Sequence, residues 1–162
     1  MIQIFRREIL LGVCAALALS ACAGTPKVET ASYQTHALPL HPNETPVLRG
    51  KINYWADHYE VPRALVHRLA IRESTHNPGA RNGPYYGLLQ ILPATAGTMG
   101  FRGSPSALLD ADTNLKYGVK YLRGAWLLSG GDHGTAIGWY ARGYYYEAKK
   151  RGMLVETGLR PG

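Results

Sequence analysis

The sequence predicts an all-α fold, carried by one domain that follows a removable leader and a polar tether. Three observations lead there. From about Val47 onward, apolar residues recur at helical spacing, as in Leu48, Ile52, Trp55, Ala56 and Tyr59, the pattern of a helix with one buried face. The stripes are punctuated by Pro, Asp or Thr ahead and Gly behind, residues that start a first turn, cap it, or stop a helix in the left-handed region. No segment alternates apolar and polar residues convincingly enough for a half-buried strand. A length of 162 residues suits one such domain.

The elements follow in order. At the N-terminus, Arg6 and Arg7 precede an apolar run from Ile9 to Leu19, and small residues follow. Charged flank, short apolar core and small-residue exit are the parts of a secretory signal, and the run is too short to remain as a spanning helix. The exit, Leu19-Ser20-Ala21-Cys22, resembles a bacterial lipobox. That resemblance implies cleavage after residue 21 and lipid attachment to the Cys22 sulfur. Ala23 in the second mature position favours the outer membrane, so the expected location is the periplasm, lipid-anchored. Cys14 lies in the discarded core, so the mature chain is left without a free thiol or disulfide, which excludes cysteine catalysis and thiolate metal sites. With the lipidated Cys22, residues 22–46 form a tether rich in Ala, Thr, Pro and Ser. Such a stretch buries too little apolar surface to fold alone, and its flexible reach is roughly 25–30 Å.

Residues 47–152 are the expected domain. The first helix carries the Leu48–Tyr59 stripe. Pro62 can open a second at its first position, with Leu65, Val66, Leu69 and Ala70 inward and an end before Asn77-Pro78. A Gly- and Tyr-rich loop runs from Gly79 to Gly87. Pro93 opens a third helix that stops at Gly100. A fourth starts near Asp112-Thr113, either of which can cap it, buries Leu115, Val119, Leu122 and Trp126, and stops at Gly130-Gly131. Others cover about Thr135–Arg142 and Tyr144–Arg151. Residues 153–162 read as an irregular tail.

Composition narrows the function classes. Lys and Arg number 18 against 11 Asp and Glu, a net charge of +7, which points to an anionic partner: nucleic acid, a membrane surface or an acidic polymer. A hydrophobic share of 46% argues against wholesale disorder. The six His form no His-Glu-x-x-His and no Cys–His pairing, and no Gly-rich phosphate loop with its Lys is present. No metal and no cofactor is therefore expected.

One residue breaks the pattern. Extending the second stripe by fours gives Leu65, Leu69 and then Glu73, a carboxylate where an apolar residue belongs, whereas Arg68 and Arg72 lie off that face. Lost hydration favours the neutral acid and raises its pKa. A carboxyl protonated near neutrality can act as a general acid; equally, a Glu at a helix end can simply reach water.

The residues after it carry a resemblance. Glu73-Ser74, Asn77-Pro78-Gly79-Ala80, Gly87-Leu88-Leu89-Gln90 and Pro93-Ala94-Thr95-Ala96 occur in order, followed by Leu109-Asp110, Asn114-Leu115, Gly118–Leu122 and Gly138–Gly143. This succession resembles the catalytic region of the soluble lytic transglycosylases, a lysozyme-like family that cleaves peptidoglycan glycan strands. Leu89 stands where that family usually has Met, a volume-conserving change. Ala141 stands where it has Asn, a polar group near the saccharide, which puts one substrate contact in doubt.

The resemblance implies roles. Glycosidases usually place two carboxylates about the bond, but none of Asp57, Glu60, Asp110, Asp112, Asp132, Glu147 and Glu156 lies in the loop after Glu73, and Asp110, Asp112 and Asp132 read as helix caps. In the family one carboxylate suffices: Glu73 would serve as acid and then base, and the muramoyl 6-hydroxyl would attack to leave a 1,6-anhydro end. Ser74 either orients the loop or touches substrate. Gln90 offers amide groups suited to acetamido substituents, or a loop-bracing bond. Tyr140 resembles the tyrosine whose hydroxyl approaches the catalytic Glu. Gly87 permits a close approach or special turn, and Leu89 goes with it toward substrate. Among Tyr85, Tyr86 and Tyr144–Tyr146 one or two are expected at the groove, Tyr86 first. The basic balance is then matched by the anionic wall polymer rather than nucleic acid, with the outer membrane engaged only through Cys22 and the chain acting as a monomer. A water-using hydrolase on the same fold and a non-catalytic wall-binding lipoprotein are the alternatives.

Overall fold

The computed structural model describes residues 39–161. The expected leader, Cys22 and most of the tether lie outside the described residues.

Helix α1 spans Pro46–His58, with the Thr45 side chain accepting from the Leu48 amide at its start. It buries Leu48, Ile52 and Ala56, and Trp55 and Tyr59 pack partly against the core. Helix α2 spans Arg63–Ser74 and buries Leu65, Val66, Leu69 and Ala70. Beyond come α3 (Pro93–Thr98), a 3-10 turn (Pro105–Leu109), α4 (Ala111–Leu128), α5 (His133–Arg142) and α6 (Tyr145–Lys150). The spacing-based all-α reading holds because every stripe named above meets the same core.

Helix α4 is the axis of that core and packs on α1, α3, α5 and the 3-10 turn. Leu115, Val119, Leu122 and Ala125 are fully buried along it. Gly118 lets a loop approach this helix: a Cβ there would lie 2.8 Å from Leu89 Cδ1. A glycine inside a helix costs about 1 kcal/mol, but burying a leucine stabilises by roughly 1.5–3 kcal/mol, so the exchange favours the contact. One turn earlier on the same face, buried Asn114 ties the loop down. Its Oδ1 accepts from Leu89 N, and its Nδ2 donates to Tyr86 O and Leu108 O, all at 2.8 Å.

Several expectations are corrected. The tether was expected to run to residue 46, but the chain from residue 39 on already makes contacts with the domain, Pro39 O accepting from Arg49 Nη2 at 2.7 Å. The Glu44 side chain is completely buried against Arg49, and Asn43 Nδ2 donates to Thr75 O at 3.1 Å. Polar composition reads as solvated chain only until partners arrive from elsewhere. Pro62 stands just ahead of α2 rather than within it. The cap of α4 is Asp110, accepting from Thr113 N; Asp112 instead binds Lys51 and Trp55 Nε1. The Gly79–Gly87 loop contains a hairpin, β1 (Arg81–Asn82) antiparallel to β2 (Tyr85–Tyr86). Two residues per strand are too few for alternation to show. The tail has neither helix nor strand, yet Thr157 is buried.

Candidate active site

Glu73 sits in the last turn of α2, and that turn is held from three sides. Thr75 and His76 are both left-handed, with φ of 51° and 58°, a conformation uncommon for non-glycine residues and strained for a β-branched one. His76 N donates to Ala70 O at 3.3 Å, closing the helix end. Ser74 Oγ donates to Leu88 O at 2.7 Å, joining the helix to the loop across from it. A rigid backbone therefore aims the carboxyl.

The carboxyl lines a cavity of about 320 Å³ with Arg72, Asn82, Tyr85, Gln90, Tyr140 and Ala141. A second cavity of about 280 Å³ shares Tyr85, Gln90, Tyr140 and Ala141 and continues past Tyr121 to Arg142 and Gly143. The two form one groove, and Glu73 is the single carboxylate among its described lining residues. Only 21% of the Glu73 side chain is exposed. Burial raises its pKa above the usual carboxylate value, and the Arg72 cation, 3.4 Å away, pulls part of the way back. The negative end of the α2 dipole acts in the same direction as burial. Four of the other acids are engaged elsewhere: Asp57 with Arg63, Glu147 with Arg151, and Asp110 and Asp132 as caps.

The expected site residues divide. Glu73, Gln90 and Tyr140 meet in the groove. Tyr140 is almost wholly buried and its hydroxyl donates to Leu89 O at 2.9 Å; burial first, and the Glu73 carboxylate second, keep its phenol protonated. Gln90, at φ 47°, spends its amide hydrogens on Ala80 O and Gly87 O at 3.1 and 2.8 Å. What it can offer a ligand is its carbonyl oxygen. The other four have parts in the fold, and for Ser74 and Gly87 these are the loop-orienting and close-approach readings. The Ser74 hydroxyl is committed to the loop. Leu89 is fully buried and packs on α4. Gly87 is needed inside the fold: its φ is 74°, and a Cβ would lie 2.2 Å from Leu108 O. Tyr86 faces Arg81, whose guanidinium stands 4.8 Å from the ring centroid, while its neighbour Tyr85 lines the groove. Asn82 and Arg72 were not anticipated. The hairpin register, which puts Asn82 opposite Tyr85, is the signal that would have found the first.

Three of the six histidines, His41, His67 and His76, come together beside α2. His41 stacks on His76 with ring centroids 5.1 Å apart. His67 Nδ1 lies 3.3 Å from His76 Nε2 and 3.5 Å from Glu44 Oε1. Donor atoms of His41, Glu44 and His67 fall within 4.8 Å of one another, so the fold gathers metal-ligand chemistry that sequence spacing did not foresee. The charge there is already answered. Arg49 Nε and Nη2 donate to the two Glu44 oxygens at 2.9 and 2.5 Å. Burial alone would raise the Glu44 pKa, but the Arg49 bonds and the His41 amide win and hold it at about 2. A divalent ion would enter beside that guanidinium.

Comparison with known proteins gives one match. The model of a family described as Transglycosylase SLT domain matches residues 50–152. No curated protein and no solved structure matches.

Proposed function

Since the chain belongs to the transglycosylase SLT family, whose activity on peptidoglycan is of the lytic transglycosylase type, we propose that Glu73 alone performs both proton transfers of that reaction. The supporting observation is a largely buried carboxyl, its pKa raised by burial, in a groove whose described lining holds no second carboxylate. The protonated Glu73 donates to the glycosidic oxygen between N-acetylmuramic acid and N-acetylglucosamine, and the C1–O bond breaks. The 2-acetamido oxygen supports the positive charge left at C1. Ionised Glu73 then takes the proton of the muramoyl 6-hydroxyl as its oxygen bonds to C1. The product is a 1,6-anhydro end, no water is consumed, and Glu73 is protonated again. One residue can do both because burial raises its pKa while the Arg72 cation limits the rise.

The remaining groove residues support the two states. Arg72 tempers the carboxyl. Tyr140 and Gln90 hold the loop that forms the opposite wall. Ala141 leaves room where a larger polar side chain would stand. The lipobox-like residues 19–22, followed by Ala23, support a lipid anchor in the outer membrane's periplasmic face, and loss of fatty-acid labelling in Cys22→Ala is the expected check.

The test is mass analysis of purified sacculi after digestion. Wild type should release muropeptides one water lighter than reducing-end products, and Glu73→Gln should release none. Products of reducing-end mass would favour a hydrolase instead. Digestion unchanged in Glu73→Gln would remove Glu73 from the mechanism.

A further inference from the structure

The groove does not stop at Arg142. Arg142 and Gly143 also line a third cavity of about 530 Å³, together with Trp139, Tyr144, Tyr145, Tyr146, Glu147 and Lys150. Its walls differ from those near Glu73. The Arg142 guanidinium stands over the Trp139 ring, 3.9 Å from its centroid. That contact fixes a long side chain before any ligand arrives, so less rotamer freedom is lost on binding. Among the described residues no carboxylate lies within ion-pair distance of Arg142 or Lys150, and the cavity's one acid, Glu147, is taken by Arg151. Tyr145 and Tyr146 are 48% and 84% exposed, an unusual cost for two large rings. The face is cationic and aromatic, and it is joined to the catalytic groove through Arg142.

Resting on the reading of the groove as the glycan site, we infer that this third cavity receives the acidic peptide carried by the substrate's muramoyl residues, with Arg142 as the residue that reads its carboxylate. A preset planar guanidinium binds a carboxylate through two parallel hydrogen bonds. Lys150 adds a second positive charge, and the tyrosines offer apolar cover to the peptide's side chains. A bare glycan has nothing to place there. The enzyme therefore discriminates in favour of strands that still carry their peptides.

Binding tests this without cleavage. In a Glu73→Gln background, affinity is measured for soluble glycan fragments bearing peptide stems and for the same fragments after amidase removal of the stems. Peptide-bearing fragments should bind at least 10-fold tighter at low salt. Adding Arg142→Ala should bring that ratio close to one, Arg142→Lys should leave an intermediate ratio, and Lys150→Ala should lower it less than Arg142→Ala. Thermal melts matched to the parent exclude a folding defect. Equal binding of both fragments, or a ratio unmoved by Arg142→Ala, overturns the inference. Failure of the underlying reading is seen separately, as wild type that releases nothing from sacculi. Equal binding by a chain that does digest them overturns only the assignment of the third cavity.

Discussion

At the residue scale, Glu73 is a compromise between folding and chemistry. Its pKa is raised in the folded state, so ionising it costs stability. The sign follows: its contribution is fully present below the ordinary carboxylate pKa of 4.5 and is lost as pH rises through the folded value. Glu73→Gln, which mimics the neutral acid, should therefore melt above wild type at pH 7, with the difference vanishing near pH 4. The same variant should lose activity by about 100-fold or more. Arg72 opposes the shift from 3.4 Å away. Arg72→Gln should consequently move the alkaline limb of the pH–rate profile to higher pH, and a limb that stays in place would show that Arg72 does not act on this carboxyl.

At the element scale, the site depends on how a loop is fastened to a helix. Asn114 satisfies one amide and two carbonyls of buried backbone. An unsatisfied buried group costs about 1–3 kcal/mol, so Asn114→Ala should destabilise by about 3 kcal/mol or more in urea unfolding, with activity falling in parallel. The chain entering α1 is the second fastening. Glu44 has a folded pKa of about 2 against 4.5, a depressed value whose stabilisation is complete above pH 4.5 and disappears as pH falls toward 2. That window should remove about 3 kcal/mol. Glu44→Gln should show a flatter acid limb in thermal melts. Much of this scale was legible in advance. The stripes on α1, α2 and α4 and the cap at Asp132 are local events, set by residues within four positions of one another. The hairpin was not, because two-residue strands leave no period to read. Nor was the difference between Tyr85 and Tyr86, which depends on which face of that hairpin meets the groove.

At the scale of the whole molecule, residues 39–46 belong to the folded unit rather than to a tether. A chain beginning at Val47 loses Glu44 and the Thr45 cap, and should melt roughly 10 °C below one beginning at residue 39. An unchanged melting temperature would show that the Glu44–Arg49 pair contributes nothing net, as happens for some buried pairs. The sequence by itself determined the helical class, the order of the elements and the one carboxylate out of place, because periodicity, capping and an acid on an apolar face are written in neighbouring residues. The ordered motif blocks determined the family. Tertiary packing decided which residues share the groove, which expected contacts brace the loop instead, that three of the histidines gather near Glu44, and that the groove runs on to Arg142. Those are meetings between segments far apart in the chain, and local spacing carries no information about which side chains a fold will bring face to face.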